Sequence, residues 1–548
     1  MQPDDSQTRS GVRLARSAAL ILLAASLVRV AWVCIAKGGG YAAKAVEQRA
    51  VGVALAMNRG GIFDRNMVAL TGHGDPDYMV AVFPSLLAGR SGALERAESL
   101  LGQGVVSQSP RVVRVGFDKW AAVSEVAASI PGVVPFTVPS RHSSLAAHVI
   151  GHVYGSGLGA DGIERSWDDV LAGTGSDVLR VFVDANGRLI SGLGAKVRES
   201  TARVGHVRLT LDARVQQAVE GAMDLRGITG AVVVMDPGSG DILAMASRPT
   251  FDPSNVGRAF QDPRAPLMNR AVVPYYPGSV FKVVVAAAAL QGGVRTRESV
   301  YMDTGTIEAG GHTFRCYANP EGGHGPVAFE DALALSCNTA FIDAAQSVGG
   351  QALVALAREL GVGLRSWLGI PGVGSGETPA PTGRLGPAEL ANLALGQAVV
   401  RMTPLEATVM MSAIANGGVV CEPRLVLEAR DRDGRLVPLP ARGERHVLSP
   451  EVAADLRAML SRAAASGTTR DVLAGMDVAG KTGTAQTGRL SENGEPVYDA
   501  WFAGYAPAGE PKITVVVLVE GGRSGAASAA PVFRDICQAV LELEPYRY

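Results

Sequence analysis

Lysine is scarce in this chain, so the role of each lysine can be considered individually. Only seven lysines occur among 548 residues, although lysine and arginine together number 51. The formal net charge is −1, which leaves no excess of positive charge of the kind that nucleic-acid binding requires. Charged residues make up 19% of the chain and apolar residues 47%, a composition typical of globular rather than disordered proteins.

Cysteine is also sparse. The five cysteines, at positions 34, 316, 337, 421 and 537, are widely separated, and none belongs to a C-x-x-C pair. This spacing gives no support to a zinc finger or a thioredoxin-like site. His148 and His152 are four residues apart, but "HVIGH" lacks the glutamate of a zinc-protease helix. We therefore expect no cofactor and no metal.

One long apolar run lies near the N-terminus. Residues 17–36 are about long enough to span a bilayer. Because Arg9, Arg13 and Arg16 precede this run, the positive-inside rule predicts a cytoplasmic tail over 1–16. A cleaved signal peptide is the alternative, but no small-x-small cleavage site stands out after Arg29. We expect a single-pass anchor in the cell membrane, with the remaining chain outside the cytoplasm.

The rest of the chain is too long for one ordinary core, and its pattern changes near residue 205. Residues 42–204 mix short helices and strands, beginning with a predicted helix over 42–57. After residue 205, predicted strands lie at both ends of the segment, with alanine- and leucine-rich helices between them, including 327–346. This order predicts an α+β domain over 205–548, whose antiparallel sheet is completed by segments from both ends.

The first reactive constellation is Ser279 and Lys282 in "YYPGSVFKVVVAAAAL". The S-x-x-K spacing places both side chains on one face of a helix, one turn apart. A serine hydroxyl is a poor nucleophile until a base removes its proton, and a buried neutral lysine can act as that base. None of the other six lysines has a serine three residues before it. The structural alternative is an accidental pair.

Two further motifs follow along the chain. Ser336-Cys337-Asn338 interrupts an apolar helical stretch, and a helix cap is the competing interpretation. Lys481-Thr482-Gly483-Thr484 lies on a predicted strand, whose alternation places Lys481 and Gly483 on one side. Residues 475–482 also match the phosphate-loop pattern G-x-x-x-x-G-K-[ST]. The polar, glycine-rich segment that follows is not helical, and this argues against nucleotide binding.

The three motifs, in the order Ser279, Ser336, Lys481, are the set of penicillin-binding proteins and β-lactamases. The chain resembles the class B penicillin-binding proteins over about residues 42–540. Further matching segments include "NRGGIFDRN", "LTLDARVQQAVE", "MNRAVVPYYPGSVFK" and "DAWFAGYAP". Met67 departs from the family pattern, which has glycine after DRN. The resemblance implies a penicillin-binding/β-lactamase-like transpeptidase domain, preceded by the membrane anchor and a mixed α/β pedestal or dimerisation module.

The resemblance also implies the chemistry. Ser279 would attack the D-Ala-D-Ala end of a peptidoglycan stem peptide, with Lys282 as general base, and would release D-Ala. Backbone N–H groups of Ser279 and Thr484 would form the oxyanion hole, and Ser336 would relay a proton. Lys481 would complete the catalytic set and, with Thr482 and Thr484, would bind the terminal carboxylate. Asn338 would hold the substrate amide, and Gly483 would also belong to the substrate-binding site. β-Lactams would acylate Ser279.

The sequence leaves alternative functions open. A D,D-carboxypeptidase or β-lactamase-type hydrolase would need a base that activates water, and Glu389 is a candidate by composition only. A non-catalytic scaffold of a cell-wall synthesis complex is a second alternative, although the intact Ser279 and Lys282 speak against it. The implied partners are stem peptides, β-lactams and a membrane glycosyltransferase, and no nucleic acid is expected.

Overall fold

The N-terminal part of the chain forms a long apolar helix, Asp5–Ala36. The computed structural model of the chain describes residues 5–72, 74–87, 92–102, 109–130, 132–184, 190, 193, 195–318, 322–363, 365, 367–380 and 383–546. Residues 1–4 of the predicted tail therefore lie outside the described residues. Within the described part, Ser10–Ala36 is one helix that is long and apolar enough to cross a membrane.

The predicted helix over 42–57 is wrong in its second half. A helix covers Gly38–Gln48, but Ala50–Arg59 is a β-strand. The segment "AVGVALAMNR" mixes valine and leucine with small residues, and pairing with a distant strand, Ala172–Phe182, decides its structure. Strand structure depends on such neighbours more than helix structure does.

The chain divides into two compact units, each discontinuous in sequence. The first comprises Met1–Ala56, Pro76–Val138 and Gly175–Thr201, and the second comprises Met57–Asp75, Pro139–Thr174 and Ala202–Tyr548. Two described three-stranded sheets lie mostly within the first unit. The strand order of one sheet is Ala50–Arg59, Ala172–Phe182, Ala195–Arg198. The strand order of the other sheet is Arg111–Arg114, Gly74–Val82, Val133–Ser140. Its short helices are Pro84–Leu87, Ala93–Leu101 and Phe117–Ser129.

The second unit is built on a five-stranded antiparallel sheet. We label its strands β1 (Gly230–Met235), β2 (Ile242–Arg248), β3 (Ala479–Leu490), β4 (Pro496–Ala506) and β5 (Ile513–Val519). Their spatial order is β2-β1-β5-β4-β3. The early hairpin thus pairs with the late strands, and the predicted sheet with contributions from both ends of the domain is confirmed.

Both faces of this sheet are covered by helices. Val232 and Val234 belong to an apolar cluster with helices Ala213–Leu225 and Ala530–Leu541. Val233, one residue away, points to the opposite face and belongs to the cluster that contains Lys282–Gln291 and Pro404–Ala415. A strand buried on both faces shows continuous rather than alternating hydrophobicity, as "GAVVVM" does.

The remaining elements of the second unit frame this sheet. The other helices are Ala147–Ile150, Gly162–Ser166, Asp168–Leu171, Val256–Ala259, Phe329–Ala334, Asn338–Val348, Gly350–Glu359, Pro387–Ala394 and Pro450–Ser466. A small sheet has the order Val426–Arg430, His206–Leu209, Ile62–Phe63. Three strand pairs complete the unit: Val300–Asp303 with Gly325–Ala328, Thr306–Ala309 with His312–Arg315, and Val419–Cys421 with Glu444–His446.

Candidate active site

Ser279 lies on a 3-10 turn, Gly278–Phe281, that leads into the helix Lys282–Gln291. Gly278 has φ +55°, and a Cβ there would lie 2.8 Å from the carbonyl oxygen of Thr484. Only glycine accepts both the left-handed backbone and this close approach of β3. The Gly278 N–H also donates to Gly396 O at 3.0 Å. The turn is thus held by β3 on one side and by Gly396 on the other, while Ser279 itself is partly exposed.

Lys282 joins the first motif to the second. Its side chain is fully buried, and Nζ donates to Ser336 O and Asn338 Oδ1, each at 2.7 Å, and to Ser336 Oγ at 3.3 Å. A buried cation needs such partners, which answers why an apolar helix begins with lysine. Among the described residues, no hydrogen bond joins Lys282 to the Ser279 hydroxyl. The Nζ donors bond the second motif instead.

Ser336 and Cys337 lie in a break between two helices, Phe329–Ala334 and Asn338–Val348, so the predicted continuous helix over 327–346 is wrong there. Ser336 has φ +58°, a left-handed backbone that is costly for a residue with a Cβ. This conformation turns its carbonyl and hydroxyl oxygens toward Lys282. Asn338 Nδ2 donates to Arg315 O at 3.0 Å, which leaves Oδ1 to face the lysine.

The third motif runs along β3. Lys481 and Gly483 are buried, whereas Thr482 and Thr484 are more exposed, as the predicted alternation requires. Lys481 Nζ donates to Thr482 O at 3.2 Å and to Thr482 Oγ1 at 3.4 Å. A Cβ at Gly483 would lie 2.7 Å from Pro277 O, so β3 packs directly against the turn that holds Ser279. The strand also excludes the phosphate-loop interpretation, which requires a helix after the glycines.

The two buried lysines influence each other electrostatically. Burial lowers the pKa of Lys282 to about 8, while the nearby thiols of Cys337 and Cys316 oppose this shift. Burial, together with the positive charge of Lys282, holds the pKa of Lys481 well below its usual range. At pH 7 about one Lys282 in ten is then neutral. The site therefore keeps a usable fraction of its lysine in the form that accepts a proton.

Two groups that sequence reasoning did not single out support the site. Trp501, fully buried on β4, donates from Nε1 to Tyr276 O at 3.0 Å and so anchors the chain just before Ser279. Gly525 N donates to Thr484 Oγ1 at 3.3 Å. Trp501 lies in the segment "DAWFAGYAP", so the resemblance signalled its region. The chemistry of Gly525 gave no signal in the sequence.

Two residues considered as alternative catalytic groups have structural partners. Glu389 is exposed and accepts the Gly386 N–H at 2.8 Å, so it caps its own helix. His148 Nε2 donates to Pro266 O at 2.7 Å, and burial lowers the pKa of His148 to about 4. Glu389 thus has a structural role as a helix cap, and His148 has a structural role as a buried hydrogen-bond donor.

Comparison with known proteins assigns the family. The penicillin binding protein transpeptidase domain matches residues 230–538. The chain belongs to the penicillin-binding protein transpeptidases. It is 34% identical to the peptidoglycan D,D-transpeptidase PbpA of Mycolicibacterium smegmatis, over 71% of this chain and 81% of that protein. It is 30% identical to the peptidoglycan D,D-transpeptidase MrdA of Acinetobacter baumannii, over 75% of this chain and 68% of that protein.

Solved structures give the same result. The crystal structure of penicillin-binding protein 3 from Mycobacterium tuberculosis, complexed with aztreonam, has a TM-score of 0.65 at 28% identity. The match covers 90% of this chain and 97% of that one. A ceftriaxone acyl-enzyme of penicillin-binding protein A from the same species has a TM-score of 0.61 at 30% identity, covering 74% and 93%. The predicted class B family and transpeptidase fold are confirmed.

Proposed function

We propose that this chain is a serine-type peptidoglycan D,D-transpeptidase that cross-links stem peptides through a Ser279 acyl-enzyme. The observation that supports it most directly is the position of Lys282. This lysine is fully buried, follows the Ser279 turn, and donates to both polar members of the second motif. The Lys481–Thr484 segment packs against the same turn. A penicillin-binding transpeptidase needs these groups around one cleft.

The reaction begins with proton transfer. Neutral Lys282 takes the proton of Ser279 Oγ, which attacks the carbonyl carbon of the penultimate D-Ala. The negative charge that develops on the carbonyl oxygen is stabilised by the backbone N–H groups of Ser279 and Thr484. Ser336, already bonded to Lys282, relays the proton to the amine of the departing D-Ala. The C–N bond breaks, and the peptide remains as an ester on Ser279.

The other motif residues bind the donor peptide in this proposal. Lys481, Thr482 and Thr484 bind the terminal carboxylate, and Asn338 binds the peptide amide. Gly483 allows β3 to lie close to the Ser279 turn, because any side chain would meet Pro277. An amine from a neighbouring stem peptide then attacks the ester carbonyl carbon, and the bond from that carbon to Ser279 Oγ breaks. The proton that the amine loses passes through Lys282 to Ser279 Oγ, which regenerates the serine and frees the cross-linked peptide.

Covalent labelling by a fluorescent penicillin tests the nucleophile. The full-length chain in detergent is expected to retain the label after denaturation, and Ser279→Ala is expected to abolish it. Ser491→Ala is a matched control, because Ser491 belongs to the other S-x-N sequence and lies in an exposed turn. Labelling that survives Ser279→Ala would contradict Ser279 as the nucleophile, whereas no labelling of the natural chain would support the scaffold alternative.

The acceptor distinguishes transfer from hydrolysis. A stem-peptide donor is incubated with the chain, with and without a second peptide that carries a free amine, and products are identified by mass spectrometry. We expect a cross-linked dimer and free D-Ala. Release of D-Ala with only the shortened peptide, at every acceptor concentration, would instead indicate a D,D-carboxypeptidase. Turnover of penicillin itself would indicate a β-lactamase-type hydrolase.

The remaining assignments concern placement in the cell. We propose a cytoplasmic tail over 1–16, a membrane anchor over 17–36, a pedestal or dimerisation module over 42–204 and the transpeptidase domain over 205–548. The catalytic domain then lies outside the cytoplasm, where a membrane glycosyltransferase supplies the glycan strands. Protease added to intact spheroplasts should digest the large domain and spare a tag placed before residue 1. Protection of the large domain would reverse this topology.

A further inference from the structure

Four side chains with metal-binding chemistry meet behind the second motif. Asp303, Cys316, His324 and Cys337 come from separate places in the chain, yet their ligand atoms all lie within 4.8 Å of one another. Asp303, Cys316 and Cys337 are at most 2% exposed. Because Cys337 is the middle residue of Ser336-Cys337-Asn338, the cluster adjoins the site without containing any residue to which we assign a catalytic role.

The separations within the cluster fit a tetrahedron. In a tetrahedral zinc site, two thiolate sulfurs lie about 3.8 Å apart, and a sulfur lies about 3.5 Å from a nitrogen or oxygen ligand. The Cys316 and Cys337 sulfurs are 3.8 Å apart. Cys316 Sγ lies 3.5 Å from His324 Nδ1, and Cys337 Sγ lies 3.4 Å from Asp303 Oδ2. Three of the distances between ligand atoms therefore already have the values that a zinc ion imposes.

One distance between ligand atoms is shorter than a zinc site requires. His324 Nδ1 and Asp303 Oδ2 are 2.6 Å apart, in direct hydrogen-bond contact. A metal between them would displace the shared proton and increase the distance between these two atoms to about 3.3 Å. The other oxygen of Asp303 is held by Thr339 Oγ1 at 2.7 Å and by the Gly305 N–H at 2.8 Å. Such outer hydrogen bonds orient a carboxylate ligand and leave one oxygen for the ion.

A disulfide fits these residues less well than a shared metal ion does. A disulfide requires a sulfur separation of about 2.0 Å, whereas both thiols are free here. In the described part of the chain, His324 Nε2 is buried and has no hydrogen-bond partner, so all the polar contacts of the ring are made toward the cluster.

We propose that Asp303, Cys316, His324 and Cys337 bind one Zn²⁺ ion in a tetrahedral structural site. Two thiolates with an imidazole and a carboxylate select zinc over magnesium or calcium, which prefer oxygen ligands. Binding releases the two thiol protons to solvent, and no oxidation or reduction takes place. This proposal departs from our sequence-based expectation of no metal, which rested on the absence of C-x-x-C pairs. It does not depend on the proposed transpeptidase reaction.

The ion would act as a positioning group for the second motif. It would tie Cys337 to Asp303, at the end of the strand Val300–Asp303, and to Cys316, which follows the strand His312–Arg315, and so hold the break between Ser336 and Asn338. Both neighbours of Cys337 bond Lys282. Loss of the metal should therefore loosen the polar contacts of Lys282 without removing any group that touches the substrate.

Metal content tests the site directly. The full-length chain, purified in detergent without chelators or added metal, is analysed for zinc by mass spectrometry of the metals. We expect one zinc per chain, and at least a tenfold lower content in Cys316→Ser and in His324→Ala. Cys421→Ser and Cys537→Ser are matched controls, because both residues are buried cysteines outside the cluster. Equal zinc in Cys316→Ser and the controls would overturn the proposal.

A spectroscopic measurement on the natural chain tests the zinc site even where the cysteine and histidine variants fail to fold. The natural chain is stripped of zinc by a chelator and titrated with Co²⁺, and thiolate-to-cobalt absorption is expected with one-to-one stoichiometry. Cys316→Asp keeps an anionic ligand, so it should still bind Co²⁺ while losing part of the thiolate absorption. Absence of any thiolate absorption in the natural chain, or a Cys316–Cys337 disulfide in its peptide map, would each refute the zinc site. Penicillin labelling of the same samples reports on the transpeptidase proposal separately.

Discussion

Lys282 donates a 2.7 Å hydrogen bond to Asn338 Oδ1, although 56 residues separate the two along the chain. The lysine begins one helix, and the asparagine begins another. Their contact makes the nucleophile turn and the second motif parts of one polar unit in an otherwise apolar core. The protonation of that unit, rather than the hydroxyl of Ser279 alone, is expected to control the rate of acylation.

We expect the rate of penicillin labelling to depend on the pKa of Lys282, about 8. Only the neutral lysine accepts the Ser279 proton, so labelling should rise about tenfold per pH unit below pH 8 and level off above it. The measurement is the labelling rate constant between pH 6 and 9. Lys282→Arg should be inactive throughout, because arginine stays protonated. A flat profile from pH 6 to 8 would show that another group is the base.

Replacing Asn338 by aspartate should move that profile. A carboxylate in place of the amide oxygen would favour the charged form of Lys282 and raise its pKa. The midpoint of the labelling profile should therefore rise by about one pH unit or more, and labelling at pH 7 should fall at least tenfold. Asn338→Ala is the control, since it removes the contact without adding a charge. An unchanged midpoint in Asn338→Asp would mean that this contact is broken before acylation.

Gly483→Ala should nearly abolish labelling. The added Cβ would lie 2.7 Å from Pro277 O, so β3 or the Ser279 turn must shift. A displacement of about 1 Å at a reacting centre costs about a hundredfold in rate. Gly509→Ala is the comparison, because its Cβ would meet nothing closer than Asp477 Oδ2 at 3.9 Å. Rapid labelling of Gly483→Ala would disprove the close packing that we describe.

Met67→Gly should stabilise the protein. Met67 has φ +63° and is 49% exposed, so its side chain contributes little burial while its backbone adopts the left-handed conformation. Relief of that conformation should contribute about 1 kcal/mol, which corresponds to an increase of about 2 °C in the thermal unfolding midpoint. Met67→Ala keeps the unfavourable backbone and should show no such increase. Equal midpoints for the glycine and alanine variants would refute this account.

The sequence alone predicted those parts of the site whose geometry depends on residues close together in the chain. The S-x-x-K pair fixes a helical turn through its own spacing, and the alternation of residues 481–484 follows from strand geometry. Met67 also stood out, because the family has glycine where the structure shows φ +63°. The sequence showed that Ser336-Cys337-Asn338 interrupts an apolar helical stretch, but it did not predict the left-handed backbone of Ser336, which brings its carbonyl oxygen to Lys282.

Contacts between distant segments were not predictable in the same way. Cys316 and Cys337 are 21 residues apart, and the zinc proposal depends on a strand pair that brings Asp303 and His324 beside them. No spacing rule covers such a set of ligands. The strand Ala50–Arg59 was predicted as helix for a related reason, because its structure is determined by a partner more than a hundred residues away.

The strand order β2-β1-β5-β4-β3 has a consequence for biosynthesis. β1 pairs with β5, so residues 230–235 cannot complete their sheet until residues 513–519 have been translated. A polypeptide released early, for example after residue 490, contains both reactive lysines but no framework to bury them. Truncated products should therefore be inert toward penicillin.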